Sequence, residues 1–150
     1  MPGPQTVTMK GREAHQKRLK RMSGAEIVKA AGRVVYVGSD MIRAEAHVSI
    51  NRVKHGRVVK GERRKVYTAS APGEAPAYDT ENLRSGIVNA QTGPITAEVR
   101  SEDRKAALLE FGTSRMEARP YMRPARDKKA PEIQRLFEVE IDKLVKGSGS

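Results

Sequence analysis

One run of sequence constrains this chain more than any other: residues 23–50 contain no proline and repeat apolar side chains at helical spacing. Ile27, Ala31, Val34, Gly38 and Met41 recur at steps of three or four, and the series reaches Val48 through Glu45, its polar exception. Val28, Val35 and Ile42 widen the stripe, as a helix packed on a protein interior requires. Ser23 stands three residues ahead of Glu26, which predicts a capping box with Ser23 as N-cap and a helix running to about Ile50. At a rise of 1.5 Å per residue such a helix is about 40 Å long. Ala30, Ala31, Gly32 and Gly38 leave room on it for another backbone, from the sheet of the same subunit or from a neighbouring subunit.

A second helix is predicted near the C-terminus. Pro131 suits its first turn. Ile133, Leu136, Phe137, Ile141, Leu144 and Val145 form one face, and Lys143 and Lys146 complement the dipole at its end. Between the two helices the chain reads as short pieces. Val58-Val59 and residues 66–70 are strand candidates. Pro72, Gly73 and Pro76 make residues 71–79 an extended loop. Thr80 caps a short helix to Ser85, with Leu83 turned inward. Residues 86–90 and 95–100 form a hairpin around Thr92-Gly93-Pro94. Asp103 caps a helix over 104–111, Leu108, Leu109 and Phe111 form its apolar side, and Gly112 ends it. Pro120 and Pro124 predict an extended or kinked segment from Arg119 onward.

These pieces predict an α+β fold: a small antiparallel sheet packed by a long N-terminal helix and a C-terminal helix, in one domain over residues 23–146. Residues 1–22 read as a basic flexible arm, part of which extends the next helix. Residues 147–150, Gly-Ser-Gly-Ser, read as a flexible tail. Apolar residues make up 37% of the chain and aromatics 4%, with no Trp, so the core must be small and aliphatic. Obligate association would relieve that shortage.

The net charge of +11 is unevenly spread: residues 1–65 hold 16 Lys and Arg against 5 Asp and Glu, and the remainder is balanced. The densest run is 51–65, where Arg52, Lys54, Arg57, Lys60, Arg63, Arg64 and Lys65 face only Glu62. Such a segment reads as a charged excursion that meets a polyanion, or as a solubilising loop. No aromatic residue interleaves with it and no reading motif is present, so any DNA contact is to the backbone alone.

Reactive chemistry is missing from the pattern. The chain has no Cys, which excludes disulfides and thiol catalysis. His15, His47 and His55 show no metal-ligand spacing, and His47 reads as a surface histidine. There is no phosphate-binding loop, dinucleotide fingerprint or nucleophile elbow. The acidic pairs Asp79 with Glu81 and Glu102 with Asp103 stand beside helix starts, where carboxylates cap free N–H groups. No catalytic residue, cofactor or metal is expected.

Residues 108–125, Leu-Leu-Glu-Phe-Gly-Thr-Ser-Arg-Met-Glu-Ala-Arg-Pro-Tyr-Met-Arg-Pro-Ala, resemble the signature of the tail-component family of long-tailed double-stranded DNA phages. The family pattern reads Glu-Phe-Gly-Thr, two residues, Met, one residue, Ala-Arg-Pro-Phe-Leu-Arg-Pro-Ala. Tyr121 and Met122 replace its Phe and Leu, and Glu117 takes a position often held by proline. A second block, Pro72-Gly73-Glu74-Ala75-Pro76 followed by Thr80, Leu83-Arg84 and Ile87, is similar to the family's proline loop and the helix after it. Glu81 and Gly86 depart from it there. The likeness extends over about residues 24–146.

What the resemblance implies is a non-enzymatic virion protein of the neck or tail end, assembled in the bacterial host cytoplasm. Such proteins form rings, commonly sixfold, that complete the tail or join it to the head. Implied partners are other copies of the chain, a tail terminator or tail tube protein, and head connector or stopper proteins. The motif residues so marked are Pro72, Gly73, Pro76, Thr80, Leu83, Glu110, Phe111, Gly112, Thr113, Arg119, Pro120, Tyr121, Arg123 and Pro124. From the residues themselves, Phe111 and Tyr121 are expected as core anchors, and Glu110 as a partner of Arg119 or Arg123. The basic run lies outside the motifs and is expected to face a DNA channel or a partner ring. The alternative is a small basic nucleic-acid-binding protein working outside a particle.

Overall fold

A computed structural model describes residues 11–60, 66–77 and 81–146. Gly24 makes its first corner. With an extended backbone (φ −95°, ψ 178°) it separates helix α1 (Arg12–Ser23) from helix α2 (Ala25–Asn51). Residues 12–22, read from sequence as part of an arm, are therefore helical and lead straight into the long helix. The predicted capping box is replaced. Ser23 ends α1, Gly24 is the N-cap of α2, and no side chain caps that helix. Its length is as expected, 27 residues.

The remaining order is β1 (Val58–Lys60), β2 (Val66–Thr68), α3 (Glu81–Ser85), β3 (Ile87–Gly93), β4 (Thr96–Ser101), α4 (Ala106–Phe111) and α5 (Met122–Lys146). Among the described residues two antiparallel two-stranded sheets form, β1–β2 and β3–β4, and the fold is α+β. In the second sheet Ile87 pairs with Ser101 and Asn89 with Val99. That register turns Ala97 and Val99 toward α2, since alternate residues share a face. The basic run, expected as a charged excursion, folds in part as the ribbon β1–β2, with Val59 opposite Tyr67.

Helix α2 is the common floor, with α5 on one side and β3–β4 on the other. Its small residues make both approaches. A side chain at Gly32 would strike the Pro94 carbonyl of the β3–β4 turn, and one at Gly38 would strike Ile133 of α5. Ser39 accepts a hydrogen bond from the Asn89 amide at 3.1 Å, tying helix to sheet. The core cluster is Ala46, Ile50, Leu83, Ile87, Tyr121 and Ala125, flanked by Ile42, Val99, Leu109 and Met122. Among the described residues Ile50 and Tyr121 are the largest fully buried side chains. Each contributes about 1.5–3 kcal/mol by leaving water.

Glu45, the polar exception in the helix stripe, is buried. It accepts from Lys128 Nζ of α5 at 2.7 Å and from Arg52 Nη2 at 3.3 Å. The last helix begins earlier than its sequence suggests. It starts at Met122, so Pro124 falls in the first turn and Pro131 inside the helix. Pro124 removes an N–H that has no intrahelical partner, whereas Pro131 deprives the Asp127 carbonyl of its usual donor.

Candidate functional site

The family-like motif forms one corner, where α4 stops and α5 starts. Gly112 ends α4 with φ 74°, and its N–H bonds the Leu108 carbonyl at 2.8 Å. A side chain there would be strained and would meet Ala118 N and Met116 O at 2.8 Å. Thr113 and Met116 then close a tight bridge, with Thr113 Oγ1 accepting from Arg115 N at 3.2 Å. The chain returns along α4, and Arg119 N donates to the Leu109 carbonyl at 2.6 Å.

Glu110 locks the corner. Its Oε2 accepts from the N–H groups of Tyr121 (2.9 Å) and Met122 (3.1 Å), and its Oε1 from that of Arg123 (2.8 Å). One carboxylate of α4 thus caps the N-terminus of α5, where the N–H groups and the helix dipole favour negative charge. This corrects the expected pairing of Glu110 with Arg119 or Arg123: among the described residues it forms no ion pair. Arg119 instead donates from Nη1 to Ser70 Oγ at 2.8 Å, reaching across to the segment just after β2.

The two expected core anchors separate. Tyr121, held behind Pro120, is 0% exposed. Its hydroxyl is enclosed beside Ser101, and burial raises the phenol above its ordinary pKa. Phe111 is 69% exposed and is not a core residue. It sits on the outward side of a single short helix whose inward side is Leu109. The Arg123 guanidinium lies 5.8 Å from its ring centre, a cation–π contact. The second phenylalanine, Phe137 of α5, is also largely open at 42%.

A groove of about 540 Å³ opens at this corner. Its floor is Val35, Gly38, Ser39 and Ile42 of α2; Ala97 and Val99 of β4 form one wall. The opposite wall is Met122, Arg126 and Ile133 of α5, and Glu110 and Phe111 with Arg123 close one end. Apolar periodicity in α2 signalled that these positions face inward. That the wedge between α5 and the sheet stays unfilled could be learned only from the packing.

The proline loop braces the opposite side. Ala71 to Glu74 form a turn with Pro72 second and Gly73 third at φ 80°, and Gly73 N donates to the Ala118 carbonyl at 3.1 Å. Glu74 accepts from Ala71 N (2.8 Å), His55 N (3.1 Å) and His55 Nδ1 (2.5 Å). These bonds, that from Ala71 first, hold its carboxyl at a pKa of about 2. Pro76 is buried and Leu83 packs in the core. Thr80 lies outside the described residues.

The basic run divides by role. Arg52 is drawn to Glu45, and Lys54 Nζ donates to the Ser49 carbonyl at 2.8 Å, capping the end of α2. Partial burial lowers the pKa of Lys54. Arg57 and Lys60 stand exposed on the ribbon and make no ion pair among the described residues. Arg63, Arg64 and Lys65 lie outside them. His47 is no surface residue: it is half-buried against the Arg84 backbone, and burial, then Arg43 and Arg84, lower its pKa. Among the described residues no three His, Asp or Glu side chains gather closely enough to hold a metal. No helix among them is long and apolar enough to cross a membrane.

Residues 13–112 match the family described as "Bacteriophage HK97-gp10, putative tail-component". That span is two thirds of the chain and runs from α1 to the glycine that ends α4. The chain belongs to this family. As a bacteriophage tail component it is a structural virion protein that works in contact with other virion proteins. The match takes in the proline loop and Glu110, Phe111 and Gly112. Thr113, Arg119, Pro120, Tyr121, Arg123 and Pro124 lie beyond its end, and of these Tyr121 and Arg123 are joined to it physically through the Glu110 cap. No curated protein and no solved structure matches the tail component.

Proposed function

We propose that this tail component assembles as a ring of identical copies, six in number, at the neck or tail end, where it completes the tail or joins it to the head. The ring works by shape, with no catalytic step. One observation carries the reading: the folded subunit leaves large apolar side chains in water that a solitary domain of this size has reason to bury. Phe111, Phe137, Val53, Val58 and Val66 are all more than 40% exposed. Family membership supplies the setting, and the rigid braced corner between α4 and α5 supplies a fixed surface on which copies can repeat.

The neighbours in this reading are a tail terminator or tail tube protein on one side and head connector or stopper proteins on the other. The ribbon β1–β2 turns toward the DNA channel or the adjoining ring. Arg57 and Lys60, exposed there, suit contact with phosphate oxygens, which confers affinity without sequence preference.

The test is a particle preparation lacking this polypeptide, with the mass of the purified protein measured alone and with tail tubes. Heads and tails should accumulate unjoined, and the protein should reach ring mass on tubes. Infectious particles with attached tails in its absence would refute the proposal.

A further inference from the structure

Both phenylalanines of the chain stand in water on the same rigid element pair, and they differ in electrostatic company. Phe111 closes the groove beside Arg123 and Arg126. Phe137 lies on α5 one turn past Ile133, the groove's last wall residue, with Glu138 next to it. Helix α5 is electrically divided. Residues 122–131 carry four cations and one carboxylate, and residues 132–142 carry four carboxylates and one cation. Most of these charges are matched within the subunit: Arg126 by Asp127, Lys128 by Glu45, Lys129 by Glu132, Lys143 by Glu140, Lys146 by Asp142. Among the described residues Arg123, Arg135 and Glu138 are in no ion pair. Among the described residues Arg123 has only the Phe111 ring as a side-chain partner, and Glu138 only the Gln134 amide, at 3.1 Å.

We propose that the groove is the seat of a second copy of this chain, which inserts Phe137 from the acidic half of its α5 and sets Glu138 against Arg123. The inference rests on the ring reading and names the surfaces that would build it. The groove offers a largely apolar floor and a rim whose one unmatched side-chain charge is Arg123, since Glu110 is taken up by backbone N–H groups and Arg126 by Asp127; the second half of α5 offers an aromatic side chain with an unmatched carboxylate beside it. An apolar-plus-acidic segment is complementary to that rim, and the basic ribbon β1–β2 is not. A subunit cannot bring its own Phe137 to the Arg123 end of its groove, because positions 123 and 137 are held about 21 Å apart along one helix. Each copy therefore gives its acidic half to one neighbour and receives that of another, a contact between unlike surfaces that repeats by rotation and closes as a ring. Buried aromatic and Arg anchors of this kind carry most of the energy in protein interfaces.

The chain has no native cysteine, so paired cysteines report the contact directly. Phe111→Cys and Phe137→Cys are purified as full chains, incubated with tail tubes and oxidised mildly. The two single variants, mixed, should give a disulfide-linked dimer that neither gives alone. The double variant should give a covalent ladder ending at the ring's copy number. In parallel, Arg123→Glu and Glu138→Arg should each weaken assembly at least tenfold, and the two together in one chain should restore it. Rings that form without 111–137 cross-links, or that ignore both charge reversals, overturn this interface and leave the ring reading standing. If the unmodified chain forms no ring with tubes, both fall together.

Discussion

At the scale of single residues, most of the organisation comes from carboxylates that bind backbone N–H groups. Glu110 receives three such bonds and so ties the start of α5 to α4. Replacing it with Ala strips acceptors from three N–H groups, one of them on the fully buried Tyr121. The expected loss is about 2–3 kcal/mol of unfolding free energy by urea titration, and about half that for Glu110→Gln, which keeps one oxygen. Glu74 makes a prediction in pH. Its pKa falls from an ordinary 4.5 to about 2 in the folded chain. The unfolded state takes up the proton first, so this stabilisation is complete above about pH 4.5 and vanishes as pH drops toward 2. The urea midpoint should decline across that window, and less steeply in Glu74→Gln. A midpoint slope unchanged by the substitution would show that Glu74 is not responsible. Neither role was legible in sequence. Glu110 invited pairing with an arginine, because pattern reading weighs opposite charges and not the direction of a helix's free N–H groups.

At the scale of elements, the long helix, the β3–β4 hairpin, the proline loop and the last helix were all legible, because periodicity, Gly-Pro turns and proline spacing are local signals. The failures occurred where tertiary contacts decide. Pro131 was read as a helix start, yet α5 begins nine residues earlier because Glu110, distant in sequence, caps it there. The arm before Gly24 is helical over Arg12–Ser23 although its own apolar content is low, and it touches both α2 and α5. The seam between α2 and α5 rests partly on Glu45, whose side chain is 9% exposed while its cations Lys128 and Arg52 are more than half exposed. Solvent around the cations moderates the penalty of losing the carboxylate. Glu45→Gln should therefore cost about 1–2 kcal/mol, and Lys128→Met less than about 1 kcal/mol, since Arg52 remains. Equal costs for the two would assign the seam to Lys128 alone.

At the scale of the whole molecule, the subunit folds around a small core and leaves aromatic and aliphatic side chains in solvent. Composition foretold the shortage: two Phe and no Trp in 150 residues. It did not foretell that both Phe would be left outside while a Tyr took the centre of the core, because burial depends on which face of α4 and α5 meets α2. In the proposed ring, assembly and folding are coupled. A neighbour that binds only folded chain stabilises it in proportion to the logarithm of free concentration over dissociation constant, so the proposal expects the thermal midpoint to rise with protein concentration. A hundredfold excess over that constant adds about 2.7 kcal/mol, a shift of several degrees for a chain of this length. Phe111→Ser should flatten the concentration dependence while leaving the dilute midpoint within about a degree, since the side chain is 69% exposed and packs on little of its own subunit. A midpoint that drops equally at all concentrations would make Phe111 a folding residue; a midpoint rising with concentration as steeply as in the unmodified chain would move the contact elsewhere.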